Sequence, residues 1–174
     1  MINRRTFARA LGASSMMAAD KRVSVALLTN AAGPHLPAYL EGLAKTVEIS
    51  AVYLSDPDEQ VLPSARQALG SKLSAAFRSP DELFSKHKPA LALVTMEARL
   101  SPPVVSAALE AGCHVLAEKP ACVALADFAA LVRLAEQRKR SLVLALANRV
   151  DPVILEMRRI VQSGEIGKVY AMDL

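Results

Sequence analysis

Six short apolar runs recur along this chain, at residues 23–28, 48–54, 73–77, 91–95, 114–117 and 142–147, separated by stretches that suit helices. Each run has the length of a strand, and most are rich in Val, Leu and Ala with little polar alternation, the pattern of a strand buried on both faces. Neighbouring parallel strands need a crossover connection, usually a helix, so strands that alternate with helices predict a parallel sheet. The expected fold is α/β, a doubly wound parallel sheet. With 174 residues, 52% of them hydrophobic and 22% charged, the chain can bury one sizeable core.

The connecting stretches carry helix punctuation. Helices are expected over 58–69, 80–87, 102–111, 124–140 and 151–162. Ser79 followed by Pro80 is an N-cap serine before a first-turn proline, and Ser101-Pro102-Pro103 repeats the signal. Gly112 follows 102–111, where a residue without Cβ can take the left-handed conformation that closes a helix. In 124–140, Leu125, Phe128, Leu131, Val132 and Ala135 form one apolar stripe, and Arg138-Lys139-Arg140 supplies cations at the carboxyl end. Gly164 ends the last helix, and residues 168–174 alternate like the first strand of a new sheet.

Several function classes are excluded. Of the net charge of +4, three charges sit at Arg4, Arg5 and Arg9, so no basic face is available for nucleic acid. Aromatic residues make up 4% of the chain and Trp is absent, which leaves few platforms for stacking bases. Cys113 and Cys122 lie in no C-x-x-C and have no histidine at metal spacing, so they are expected as small packing residues and no metal site is expected. His35, His87 and His114 are not grouped: His114 is expected to pack and His87 to be solvated, while His35 either contacts a phosphate or merely begins a helix.

In an open parallel sheet, ligands bind in the crevice outside the carboxyl ends of the strands. Glu118-Lys119-Pro120 falls where the fifth run leaves the sheet, which makes this charged, proline-locked segment a candidate site. The run A-G-C-H-V-L followed by E-K-P, with S-G-E-I-G-K-V at 163–169, resembles the glucose-fructose oxidoreductase/inositol dehydrogenase (Gfo/Idh/MocA) family of nicotinamide-dependent sugar oxidoreductases. The resemblance extends from about Arg22 to the last residue. It implies a Rossmann-like NAD(P)-binding domain over 20–150 and, over 151–174, the truncated start of a second, α+β substrate domain. It implies that Lys119 is catalytic, hydrogen-bonding the substrate hydroxyl that loses a proton, and that Glu118 orients Lys119 or lines the cofactor cleft. Pro120 then sets the turn, and the resemblance implies that Glu118, Lys119 and Pro120 all contact the cofactor. The implied cofactor is NAD or NADP, with NAD preferred because 54–56 offers no arginine for a 2′-phosphate. The implied partner is a small sugar or polyol, with homo-oligomerisation through the second domain.

Other positions depart from the family pattern. The dinucleotide turn should read G-x-G-x-x-G, yet its glycine positions hold Thr29, Ala31 and Pro34, and Gly33 is out of register. Pro34 also removes an N–H donor. Thr29, Asn30 and Gly33 are the cofactor contacts this stretch offers. The ribose-binding acid of the second strand falls on Leu54; Asp56 either substitutes for it or is a turn residue before Pro57. Thr95, at the end of the fourth run, matches a cofactor-binding threonine, but the histidine expected several residues later is missing.

Residues 1–19 place twin arginines before Phe7 and a short, mildly apolar stretch, the pattern of a twin-arginine signal. The expected location is therefore periplasmic or exported, and otherwise cytoplasmic. No stretch is long and apolar enough to span a bilayer. Beside the oxidoreductase reading stand a non-catalytic relative that keeps the fold for binding or scaffolding, and an inactive truncated product.

Overall fold

The computed structural model describes residues 22–171. Six strands, β1 (Val23–Thr29), β2 (Ile49–Ser55), β3 (Leu73–Phe77), β4 (Leu91–Thr95), β5 (His114–Ala117) and β6 (Leu142–Leu144), form one sheet in the order β3-β2-β1-β4-β5-β6. Every pairing is parallel. The chain runs outward from β1 to β3, then returns to the other side of β1 and runs outward through β4, β5 and β6. The strand order reverses between β1 and β4, which makes their carboxyl ends the switch point where such sheets bind ligands. Thr29 and Thr95, register partners, are the last residues of those strands.

Five helices cover the sheet from both sides: α1 (Leu36–Lys45), α2 (Leu62–Leu69), α3 (Pro80–Lys86), α4 (Ser101–Glu110) and α5 (Leu125–Arg138); a further helix, α6 (Pro152–Ser163), follows β6 and buries no residue. One core gathers Leu27, Val52, Leu54 and Leu93 from the strands with Leu36, Leu40 and Leu43 of α1 and Ala65 and Leu69 of α2. The other gathers Ala26, Leu28, Val94 and Val115 with Leu83 of α3, Val105 and Leu109 of α4, and Leu131 and Ala135 of α5. Alternate residues of β1 enter alternate cores, as the two-residue repeat of a strand requires, so β1 is apolar throughout its buried length. Cys113 is fully buried in the second core, where desolvation pushes its thiol up to about 11. Neither cysteine is paired, as a packing role predicts.

The doubly wound sheet is thus the one the apolar runs predict, with local corrections. β2 continues through Ser55, and α2 begins at Leu62 rather than at residue 58. Residues 58–61 form a turn instead, because the Asp56 carboxylate accepts the Val61 N–H at 2.6 Å. α4 begins at Ser101 itself and has no side-chain cap, whereas Ser79 Oγ does accept the Glu82 N–H at 3.1 Å. β6 is shorter than expected and gives way to a 3-10 turn at Ala147–Arg149. Along the α5 stripe, Leu131 and Ala135 are buried but Leu125 is 83% exposed. His87 stacks on Tyr53 with ring centroids 4.0 Å apart and is only half-exposed, not solvated. Residues 168–171 pair with no strand and carry no regular structure among the described residues.

Lys72, just before β3, illustrates how the ends of α1 are satisfied. Its Nζ donates to the carbonyls of Leu43, Ala44 and Thr46 at 3.1, 2.7 and 2.7 Å. These carbonyls lack intrahelical partners, and a cation there also favours the helix dipole.

Candidate functional site

The switch point is closed by a tight turn. Gly33 N–H donates to Asn30 O at 3.0 Å, and Asn30 Oδ1 accepts the Ala32 N–H at 3.1 Å, an Asx turn. Thr29 Oγ1 donates to Thr95 O at 3.0 Å, and Thr95 Oγ1 donates to Pro34 O at 2.5 Å. Both threonines are fully buried. A Cβ on Gly33 would stand 2.4 Å from Thr29 Oγ1 and 2.6 Å from Thr95 O, so glycine is needed for the turn to lie against β4. Thr29, Asn30, Gly33 and Thr95 lie together at the switch point, where the two hydroxyls are spent on bonds within the chain.

The chain then enters α1 through His35, whose φ of 56° is left-handed. That conformation is uncommon for a residue with a Cβ. Its imidazole Nδ1 lies 3.1 Å from Glu118 Oε2, bridging the start of α1 to the end of β5. Tyr39, one helical turn further on, donates its hydroxyl to the same oxygen at 2.5 Å. Oε1 accepts the Lys119 backbone N–H at 2.8 Å. Glu118 is only 3% exposed, and both of its oxygens are occupied. Burial by itself would raise the pKa of this carboxyl; the hydrogen bonds from Tyr39, His35 and the Lys119 amide outweigh it and hold the group below its ordinary value. Tyr39 is displaced upward, first by burial and then by the carboxylate it faces.

These groups line a cleft of about 870 Å³ with Ala38, Lys119 and residues 145–149, among them Asn148 and Arg149. Glu118 lines the cleft and holds the Lys119 backbone N–H. Lys119 is exposed, and the Lys119–Pro120 peptide is cis. Pro120 faces a separate hollow with Cys122 and Phe128. Asp56 sits apart, just beyond β2; its Oδ2 serves the Val61 N–H, while Oδ1 is buried without a hydrogen-bond partner. Leu54, where the family pattern places an acid, is fully buried in the core.

Tyr39 escapes a motif search because it belongs to no motif. Its signal is spacing: His35 and Tyr39 are four residues apart and share one face of α1. No group of three or more potential metal ligands occurs among the described residues. No helix among them is long and apolar enough to cross a membrane.

Comparison with known proteins agrees with this architecture. Residues 21–146 match the family model of the GFO_IDH_MocA oxidoreductases, described as an oxidoreductase family with an NAD-binding Rossmann fold. The dehydrogenase aclE of Aspergillus oryzae is 28% identical over 163 residues, covering 89% of this chain and 44% of that protein. The chain spans less than half the length of the curated relatives it matches. Among solved structures, scyllo-inositol dehydrogenase from Lactobacillus casei, with bound NAD(H) and scyllo-inositol, superimposes with a TM-score of 0.73 at 17% identity, over 85% of this chain and 43% of the other. Myo-inositol 2-dehydrogenase from Lactobacillus plantarum gives 0.74 at 18% identity, over 86% and 43%. At such identities the two structures attest the fold, and the family match covers most of the chain. The chain belongs to the Gfo/Idh/MocA oxidoreductase family, and residues 21–146 are its NAD-binding Rossmann-fold domain.

Proposed function

We propose that this chain is the cofactor-binding part of an NAD(P)-dependent oxidoreductase acting on a CH–OH group of a sugar or polyol, with NAD the preferred cofactor. In this reading residues 20–150 form the cofactor domain and 151–174 lead into a substrate domain. The observation that carries it is the cleft at the carboxyl end of β5, where Glu118 is fixed by three donors beside an exposed Lys119. A protein of the same fold, the scyllo-inositol dehydrogenase from Lactobacillus casei, holds NAD(H) and scyllo-inositol.

The residues present fit a dinucleotide at its ends more than at its middle. Asp56 Oδ1, buried and unpartnered beyond β2, is an acceptor suited to a ribose hydroxyl. The cleft has the volume and the donors to take the nicotinamide end. The turn between them would hold a pyrophosphate with fewer groups than a glycine-rich turn offers, because Gly33 is packed against the chain's own atoms and Pro34 has no N–H. Lys119, Asn148 and Arg149 would hold the cofactor or the substrate oxygen, and the bound nicotinamide would supply the carbon that accepts hydride. Lys119, as a donor, would hydrogen-bond the reacting hydroxyl.

Titration of the chain from Asp20 onward with NADH and NADPH tests this reading. A site with a Kd of ~10 μM, at a hundredfold excess of ligand, adds about 2.7 kcal/mol to stability, visible as a thermal shift. Lys119→Ala should weaken the binding seen by calorimetry. A folded chain that binds neither nucleotide at millimolar concentration overturns the proposal in favour of the non-catalytic relative.

We propose also that residues 1–19, which lie outside the described residues, are a twin-arginine export signal. Arg4 and Arg5 precede Phe7 and a short apolar stretch. Replacing both arginines by lysine should move the protein from the periplasmic to the cytoplasmic fraction. An unchanged distribution sinks the idea.

A further inference from the structure

We propose that the ion pair between Glu59 and Arg78 sets the choice between NAD and NADP, an inference that rests on the oxidoreductase reading above. Arg78 is the receptor for a 2′-phosphate, and Glu59 is the group that withholds it. In sheets of this kind the cofactor's ribose lies at the end of the second strand, and an arginine nearby accommodates the 2′-phosphate. Residues 54–56 hold no arginine, but the fold delivers one from the neighbouring strand. Ser55 and Phe77 are register partners at the ends of β2 and β3, and the Asp56 N–H donates to Phe77 O at 2.9 Å. Arg78 is the next residue, so it emerges beside Asp56.

The turn after β2 meets that arginine. Glu59 N–H donates to Asp56 O at 3.3 Å. The Glu59 carboxylate takes Arg78 in a two-pronged grip, Nε donating to Oε1 and Nη2 to Oε2, both at 3.0 Å. The planar guanidinium fork matches a phosphate as well as a carboxylate. Glu59 therefore occupies the edge of Arg78 that a phosphate would use. The arginine also holds the Glu59 carboxyl below its ordinary range, so its negative charge is present at neutral pH. Asp56 favours the same cofactor, because its Oδ1 is buried without a hydrogen-bond partner. Such an acceptor suits a free ribose hydroxyl, which donates, and has nothing to offer a 2′-phosphate.

The backbone at Glu59 fits this role. Its φ of 58° is left-handed, a conformation that glycine takes freely and a residue with a Cβ seldom does. Strain of this kind persists where surrounding structure fixes it, and here the side chain is fixed to the end of a different strand. Both partners remain accessible, Arg78 71% and Glu59 52% exposed, and exposed ion pairs are weak. Arg78 can therefore exchange one anion for another once Glu59 is gone. Its other hydrogen bond, to Glu82 Oε2 at 3.4 Å, comes from the backbone N–H and leaves the guanidinium fork to Glu59.

Calorimetry on the whole chain tests the assignment without turnover, using NADH and NADPH together with the half-ligands 5′-AMP and adenosine 2′,5′-bisphosphate. The unsubstituted chain should bind NADH more tightly than NADPH; the reverse order overturns the proposal. Glu59→Gln should lower the Kd for NADPH roughly tenfold relative to that for NADH, the scale of one hydrogen bond to a charged group. The two half-ligands should shift in the same sense. Adding Arg78→Gln to Glu59→Gln should abolish the gain, whereas loss of a mere surface ion pair would move both cofactors alike. Glu59→Gly, which suits the left-handed backbone, should give the same ratio as Glu59→Gln, so the test survives a Glu59→Gln chain that fails to fold. If NADH binds and neither Glu59 variant changes the ratio, or if the gain persists without Arg78, this proposal falls and the oxidoreductase reading stands. If neither cofactor binds the unsubstituted chain at millimolar concentration, the oxidoreductase reading falls and takes this one with it.

Discussion

Leu54→Asp, the substitution that restores the family's acid on paper, is expected to destabilise the domain by at least ~5 kcal/mol and to leave it largely unfolded at room temperature. Leu54 is fully buried, in the core that β1 and β2 form with α1 and α2. Truncating a buried leucine costs about 2–5 kcal/mol. A carboxylate in its place would have no partner, and an unpaired buried charge adds several kcal/mol or forces protonation. The total stability of a domain is only about 5–15 kcal/mol. Circular dichroism with a urea titration decides the matter, and Leu54→Met, which keeps the volume, should cost less than ~1.5 kcal/mol. A Leu54→Asp chain that remains folded with an unchanged midpoint would mean that β2 holds a different register. In the register observed, the strand runs on to Ser55 and releases Asp56 at its end, where its carboxylate accepts the Val61 N–H.

What the sequence makes legible follows from the range of the forces involved. β1, β3, β4 and β5 lie within a residue of the apolar runs; β1 and β4, buried over most of their length on both faces, leave a continuous apolar record, whereas β3 and β5 keep alternate residues partly open to solvent. The α2 boundary is misread because Asp58 to Val61 have acceptable helix composition, while the Asp56 side chain captures the Val61 N–H and holds a turn. Leu125 shows a further limit: periodicity identifies residues that share a face, not how much of that face meets a neighbour. In the cleft, Glu118 and Lys119 are legible because their motif is local. Their partners His35 and Tyr39 come from the far end of the domain, and only the folded sheet brings the start of α1 to the end of β5. The fate of the glycine turn was equally hidden: an out-of-register Gly33 resembles decay until its neighbours are known.

Those neighbours lead to opposite effects for one substitution at two glycines. Gly33→Ala is expected to destabilise by about 2–3 kcal/mol, at the upper end of ordinary overpacking, because the new methyl meets a backbone oxygen of β4 that cannot rotate away. In a domain of this size that lowers Tm by roughly 5–10 °C. Gly42→Ala, within α1, has nothing within 4 Å of the added carbon and should stabilise by about 0.5–1 kcal/mol through helix propensity. The contrast separates two accounts of the turn. If Gly33 is only a remnant of a lost phosphate loop, both alanines should behave like Gly42→Ala and raise Tm. If it is the residue that lets the turn seat against Thr29 and Thr95, the two shifts have opposite sign, and the Gly33→Ala chain loses the hydroxyl-to-carbonyl bonds that join β1 to β4 and β4 to Pro34 of the turn. Thermal melts of the two variants side by side give the sign directly. Because His35 follows that turn by two residues, the displaced backbone should also loosen its hold on Glu118, so the damage from one methyl group reaches the cleft.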